Sequence, residues 1–466
     1  MLLRKLLFTC LLLFPLTLLA QLRLPAIFAD HMVFQRNSKA PIWGWSHPSA
    51  EVIVKAGWNN EDVTVKASNT GAWKAVLSTP EAGGPYTVSI TSGGTLTLED
   101  VMVGEVWICS GQSNMEWSMN ASADGKEDKA SANFPGIRLF HVPKAGADYP
   151  QVMGEGSWKT TTPESVAGFS AVGYYFGRRL HEELDIPVGL INVSWGGTPA
   201  EVWIPEVRVT GDEALNAANK KLRESEHWPK EPGKVYNAMI HPLMPLAIAG
   251  AIWYQGESNT AAPLAYKDMM QQLIEGWRNG FNKDFPFYYV QIAPFNYGDL
   301  ETGTLIREQQ VKMLEIPGTG MVVVSDHVED VKDIHPRYKK PVGERLANLA
   351  LTETYGKTGI ASKSPLYKSM AVEKNRIRIS FDNAPNGLMS KGKEVTEFMI
   401  AGEDGKFFPA RAKIDGSTVV VSSREVKKPV AVRFGWPNNS IPNLYSKEGL
   451  PVSCFRTDEW KVLGGE

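Results

Sequence analysis

Cysteine is nearly absent from this chain of 466 residues, which contains three: Cys10, Cys109 and Cys454. So few exclude both a disulfide-stapled scaffold and a multi-cysteine zinc site, and leave the apolar core to hold the fold. Runs of one charge are absent too. The formal net charge of −2 arises from 49 basic and 51 acidic residues spread along the chain. That distribution offers neither a basic surface for nucleic acid nor a polybasic anchor for a membrane. Solenoid repeats and low-complexity tracts are missing as well. Long apolar runs occur once, at residues 6–19, behind Arg4 and Lys5 and ahead of Ala20. This reads as a secretory signal peptide at 1–20, too short for a stable membrane anchor, so the chain is expected to be exported, periplasmic or extracellular. Cys10 lies inside that run rather than at its end, which gives no support to a lipid-anchored form.

What is present suggests three regions after the leader. Residues 21–100 hold short alternating segments such as Glu51-Val-Ile-Val-Lys and Tyr86-Thr-Val-Ser-Ile between Gly, Asn and Pro, the grammar of a small β-sandwich. From 101 to 355, apolar strand-like runs (105–109, 137–142, 188–194, 249–254, 286–292, 321–325) alternate with helix-period segments, which indicates a parallel sheet covered by helices. Ser170 is a plausible helix cap ahead of Val172, Phe176 and Leu180; Met269, Leu273 and Trp277 share a face, as do Val342, Leu346 and Ala350. Residues 356–466 return to strands and turns, a C-terminal β-rich domain. The 14 tryptophans are expected mostly in the core, with sugar stacking the other use for such rings.

Chemistry concentrates in four loops, each directly after a predicted parallel strand. Ligands of open α/β sheets bind at the carboxyl ends of the strands. The first loop is Gly111-Gln-Ser-Asn-Met115, which presents the Ser113 hydroxyl; Met115 stands where a lipase elbow needs glycine. A serine in that place is, by itself, more often a helix cap than a nucleophile. The second, Ser194-Trp-Gly-Gly-Thr-Pro199, offers Gly196 and Gly197, whose backbone N–H groups suit an oxyanion hole or simply a tight turn. The third, Tyr254-Gln-Gly-Glu-Ser-Asn259, offers Gln255 as an oxyanion donor and Glu257 as a partner for a histidine. The fourth, Asp326-His-Val-Glu-Asp-Val-Lys-Asp-Ile-His-Pro336, pairs Asp333 with His335. A histidine that accepts a serine proton needs a carboxylate on its other nitrogen. Both Asp333 and Glu257 are candidates. Metal binding by His327, Asp330, Asp333 and His335 is the competing account; the cluster lacks the spacing of a helical histidine pair and would leave Ser113 idle.

Together these four ordered motifs resemble the sialate O-acetylesterase family of SGNH (GDSL-like) hydrolases, with supporting matches at 169–176, 341–345 and 443–449. The resemblance runs from about residue 25 to 456. It implies a flavodoxin-like three-layer α/β/α domain with a parallel sheet, flanked by β-rich regions. It implies Ser113 as nucleophile, His335 as general base and Glu257 or Asp333 as acid partner. The oxyanion donors it implies are the Ser113 N–H, a glycine of the 196–197 pair and the Gln255 side chain. Most relatives in the superfamily carry the aspartate three residues before the histidine, where this chain has Lys332. The implied reaction removes O-acetyl groups from sialic acid or, alternatively, from acetylated xylan, with no metal or organic cofactor. By position, Arg307 and Arg337 are the candidate contacts for a sialate carboxylate, with surface solvation the competing explanation for either. A non-catalytic carbohydrate-binding protein is the rival from another class, but it has no use for a serine, a histidine and carboxylates at separate strand ends. Nothing in the sequence addresses oligomeric state.

Overall fold

The computed structural model describes residues 22–59, 61–298 and 301–462. The proposed leader lies outside them. A central sheet runs in the order Thr319–Val322, Phe287–Val290, Gly250–Tyr254, Thr95–Gly111, Val188–Ser194, Phe134–His141, Ser157–Thr161. Every neighbouring pair is parallel except the last. The sheet-forming runs are largely apolar because both faces are covered: all seven residues of Val188–Ser194 and all five of Gly250–Tyr254 are buried.

Alternate side chains go to opposite layers. Trp107 and Cys109 join a core with Val172, Phe176, Leu180, Leu346 and Ala350, from helices Ala171–Leu184 and Lys340–Glu353. Val106 and Ile108 join Met269, Leu273 and Trp277 of helix Tyr266–Phe281 on the other face. Each large apolar side chain buried this way contributes roughly 1.5–3 kcal/mol. The expected three-layer α/β/α fold is therefore present. Ser170 caps its helix by accepting from the Gly173 N–H at 3.0 Å, and the helix ends at Asp185, in left-handed conformation at φ 54°.

Strand Thr95–Gly111 is 17 residues long and continuous across position 100. Its first part pairs antiparallel with Gly83–Thr91 and its last part pairs parallel with Val188–Ser194 and Gly250–Tyr254. The burial pattern along it follows that change, from mixed exposure to nine successive buried residues. One strand thus ties the N-terminal β region to the central sheet and delivers the Ser113 turn at its far end. The C-terminal region is antiparallel, with two four-stranded sheets packing Ile377, Ile379, Val419 and Val421 against Phe398, Ile400, Val432 and Phe434. Of the tryptophans, Trp107, Trp203, Trp253 and Trp277 are fully buried, while Trp117, Trp195 and Trp228 are only half-buried. Those three lie beside the candidate site.

Candidate active site

The nucleophile turn is set by a close backbone approach. Gly111 has φ +136°, and a Cβ there would lie 2.2 Å from the Tyr254 carbonyl oxygen, so a side chain is excluded. The chain then turns into the short helix Ser113–Glu116, whose N-cap is Gln112, not Ser113. The serine hydroxyl is therefore not spent on capping. Its Oγ lies 2.8 Å from His335 Nε2, a distance suited to proton transfer.

His335 is oriented by what surrounds it. Asp333 Oδ1 accepts from the His335 backbone N–H at 2.9 Å and stands 3.9 Å from the ring Nδ1. The Trp117 indole stacks on the imidazole, with centroids 4.9 Å apart and planes at 24°. Burial pushes the histidine below its ordinary value, the Lys339 ammonium pushes it the same way, and Asp333 opposes them. The ring is thereby biased towards the neutral, proton-accepting form. Glu257, the other candidate carboxylate, is engaged elsewhere, where its Oε1 accepts from Asn114 Nδ2 at 2.7 Å. Burial raises its pKa above the usual range, against its backbone and Asn114 hydrogen bonds and the nearby Lys339. Among the described residues, the carboxylate closer to the imidazole is Asp333.

The expected oxyanion donors are placed differently from one another. Gly196 lies against the nucleophile; a Cβ on it would be 3.3 Å from Ser113 Cβ. Its N–H is engaged, donating to Glu116 Oε2 at 2.6 Å, and Glu116 Oε1 pairs with Lys144 at 2.6 Å. An acyl oxygen could use this N–H only after the carboxylate withdraws. Gly197 holds φ +82° with its Cα facing the Trp228 ring, which a Cβ would meet at 2.3 Å. Gln255 departs from the expectation of a side-chain donor. Its Nε2 donates to Asn259 Oδ1 at 2.7 Å and its Oε1 accepts from Tyr266 at 2.9 Å, so the amide is committed to holding its own loop. The physical reason is full burial, which requires every polar atom of the side chain to find a partner.

Residues 103–352 match the family model described as carbohydrate esterase, sialic acid-specific acetylesterase. The chain belongs to this family. A sialate O-acetylesterase from Homo sapiens is 31% identical over 395 residues, covering 74% of this chain and 73% of the relative. The Mus musculus sialate O-acetylesterase is 29% identical over 491 residues, covering 89% of each. Among solved structures, a carbohydrate acetylesterase from Xanthomonas citri superposes with TM-score 0.87 at 38% identity, over 94% of this chain and all of that one. The protein is a carbohydrate esterase.

Within this esterase, three residues next to the expected ones escaped sequence reasoning. Asn114 follows the serine and joins two of the loops, donating to Glu257 and, at 3.1 Å, to the Ile334 carbonyl. Glu116 covers Gly196. Lys339, fully buried, donates to Asn114 Oδ1 at 2.6 Å. Adjacency to Ser113 was a usable signal for Asn114; nothing in a Lys-Lys pair at a helix start marks Lys339 as buried. Arg307 is corrected as a substrate contact, since it is 3% exposed and donates to Thr304 and the Pro437 carbonyl. Arg337 is exposed beside the histidine loop. His327 faces Asp326, at 3.7 Å, while His335 faces Ser113. Among the described residues no three His, Cys, Asp or Glu side chains converge as a metal site.

Proposed function

We propose that this carbohydrate esterase removes O-acetyl groups from sugars through an acetyl-serine intermediate, with sialic acid as the favoured substrate. The observation that carries the reading is the 2.8 Å contact between Ser113 Oγ and His335 Nε2 at the carboxyl end of the central strand. Ser113 Oγ attacks the acetyl carbonyl carbon as its proton passes to His335 Nε2. The tetrahedral oxyanion is held by the Ser113 N–H and by a glycine N–H of the 196–197 pair, Gly196 serving once Glu116 withdraws towards Lys144. Collapse expels the sugar oxygen, which takes the proton from His335. Water then attacks the acetyl carbon with His335 as base, and acetate leaves. Asp333 supports the imidazolium and Glu257 supports the loop through Asn114. The half-buried rings of Trp117, Trp195 and Trp228 around the turn suit a sugar face. No metal or organic cofactor enters the scheme.

Acetylated polysaccharide such as xylan is the second reading, since the 38% identical Xanthomonas citri structure is a carbohydrate acetylesterase whose name specifies no sialic acid. Export rests on the composition of residues 1–20. The test is acetate release from 9-O-acetylated sialosides, acetylated xylan and simple acetylated hexoses. Turnover should be greatest on the sialosides and should fall by about 10⁴-fold or more in Ser113→Ala. Native-rate acetate release by that variant would remove Ser113 from the mechanism, and preference for xylan would change the substrate.

A further inference from the structure

A lysine with no exposed surface stands behind the reacting pair. Lys339 is 0% exposed, at the N-cap of helix Lys340–Glu353. Both features disfavour a cation: burial removes its hydration, and a helix N-terminus is the positive end of the dipole. An apolar side chain of the same length would fill the space without either cost, so the charge calls for a use. Its surroundings identify one. The ammonium donates to Asn114 Oδ1 at 2.6 Å, and the same amide donates to Glu257 Oε1 at 2.7 Å and to the Ile334 carbonyl at 3.1 Å. Asn114 immediately follows Ser113, and Ile334 immediately precedes His335. The ammonium also lies 5.6 Å from the centroid of Trp117, the ring stacked on His335, and 5.4 Å from that of Tyr254.

We propose that Lys339 is a positioning residue for the Ser113–His335 pair: its buried ammonium locks Asn114 between the nucleophile, glutamate and histidine loops. This rests on Ser113 and His335 being the nucleophile and base. The charged groups acting on Lys339 are Glu257 and Asp333, which favour its ionised form, while burial brings it down to about 7. Those acting on His335 are Lys339 and Asp333, in opposite directions. Glu257 is thus the counter-charge of the lysine, reached through a neutral amide. Asp333 is the counter-charge of the histidine.

The test is the pH profile of kcat/KM for Lys339→Met and Lys339→Gln against wild type on one acetylated sugar, with folding checked by circular dichroism. Removing the cation relieves the field on His335, so the acid limb should move to higher pH in both variants. The Met variant should also lose about 10²-fold in kcat through a mispositioned Asn114. The Gln variant, which keeps an amide donor, should lose less. Limbs that superimpose on wild type in folded variants overturn the proposal, because a purely structural lysine changes the height of the profile and not its position. A reading without turnover comes from the His335 ring resonances, whose titration midpoint should lie at higher pH in Ser113→Ala carrying Lys339→Met than in Ser113→Ala alone; coincident midpoints overturn the coupling. Inactive wild type would instead remove the esterase mechanism itself, whereas active wild type with unmoved variants removes only the role of Lys339.

Discussion

Charge is buried at several points among the described residues, and two of them are built differently. Where the C-terminal sheets meet helix Thr302–Lys312, Arg433 and Arg456 meet carboxylates directly. Arg433 donates to both oxygens of Asp458 at 2.9 and 2.8 Å and lies 3.2 Å from Glu301. Arg456 grips Glu308 of helix Thr302–Lys312 at 2.7 and 3.1 Å. Both guanidiniums also lie over the buried Trp436 ring. At the active site, Lys339 and Glu257 are linked instead through the neutral amide of Asn114. Direct bidentate pairing fixes protonation and geometry together. An amide between two charges fixes geometry and leaves each charge sensitive to its field. The first arrangement suits a joint, and the second suits a site where protons move.

The largest effect should come from breaking the joint. Arg433→Met leaves Asp458, whose side chain is 2% exposed, without its bidentate partner. Removing one member of a buried ion pair costs about 3–5 kcal/mol. The denaturant midpoint should fall accordingly, while kcat per folded molecule stays at the wild-type value, because Arg433 touches none of the catalytic loops. Wild-type stability in this variant would mean that the joint is held by its apolar contacts alone.

A smaller effect separates the two carboxylates of the site. Asp333→Asn should lower kcat by about 10- to 10²-fold, less than where a buried aspartate bonds the imidazole directly, because Oδ1 stands 3.9 Å from Nδ1. Glu257→Gln should lower it less, since an amide oxygen can still accept from Asn114. Steady-state kinetics on one acetylated sugar decides the order. The reverse order would make Glu257 the principal acid partner.

Much of the fold and the site is legible in the sequence, and the boundary between legible and hidden is physical. Largely apolar runs such as 188–194 announce strands covered on both faces, and Ser170 announces its helix, because periodicity and capping are local. The four site loops are legible because open sheets put chemistry after strand ends. Gln255 misleads because a strand-end amide looks available until burial forces it onto Asn259 and Tyr266. Glu116 is invisible because its reach to Gly196 crosses between two loops 80 residues apart in sequence. Lys339 is invisible for a deeper reason: lysine is normally solvated, and only the three-dimensional closure of the helix start over Asn114 buries it.

The smallest effect tests the same contrast through stability. The folded-state value of Lys339 is lowered to about 7 from an ordinary 10.5. Between those two values the unfolded chain binds more protons than the native one, so wild-type stability gains with rising pH across that window. Lys339→Met has no such term. It does leave Asn114 Oδ1 without its donor, at about 1–3 kcal/mol, but that cost does not vary with pH. The stability of wild type relative to the variant should therefore rise from about pH 7 to about pH 10, read as the difference between denaturant midpoints on matched samples. The slope isolates the burial of the ammonium from every pH-independent consequence of the substitution. A difference that stays flat would mean Lys339 keeps its proton as readily as a solvated lysine. The active site and the arginine joint would then bury charge in the same way.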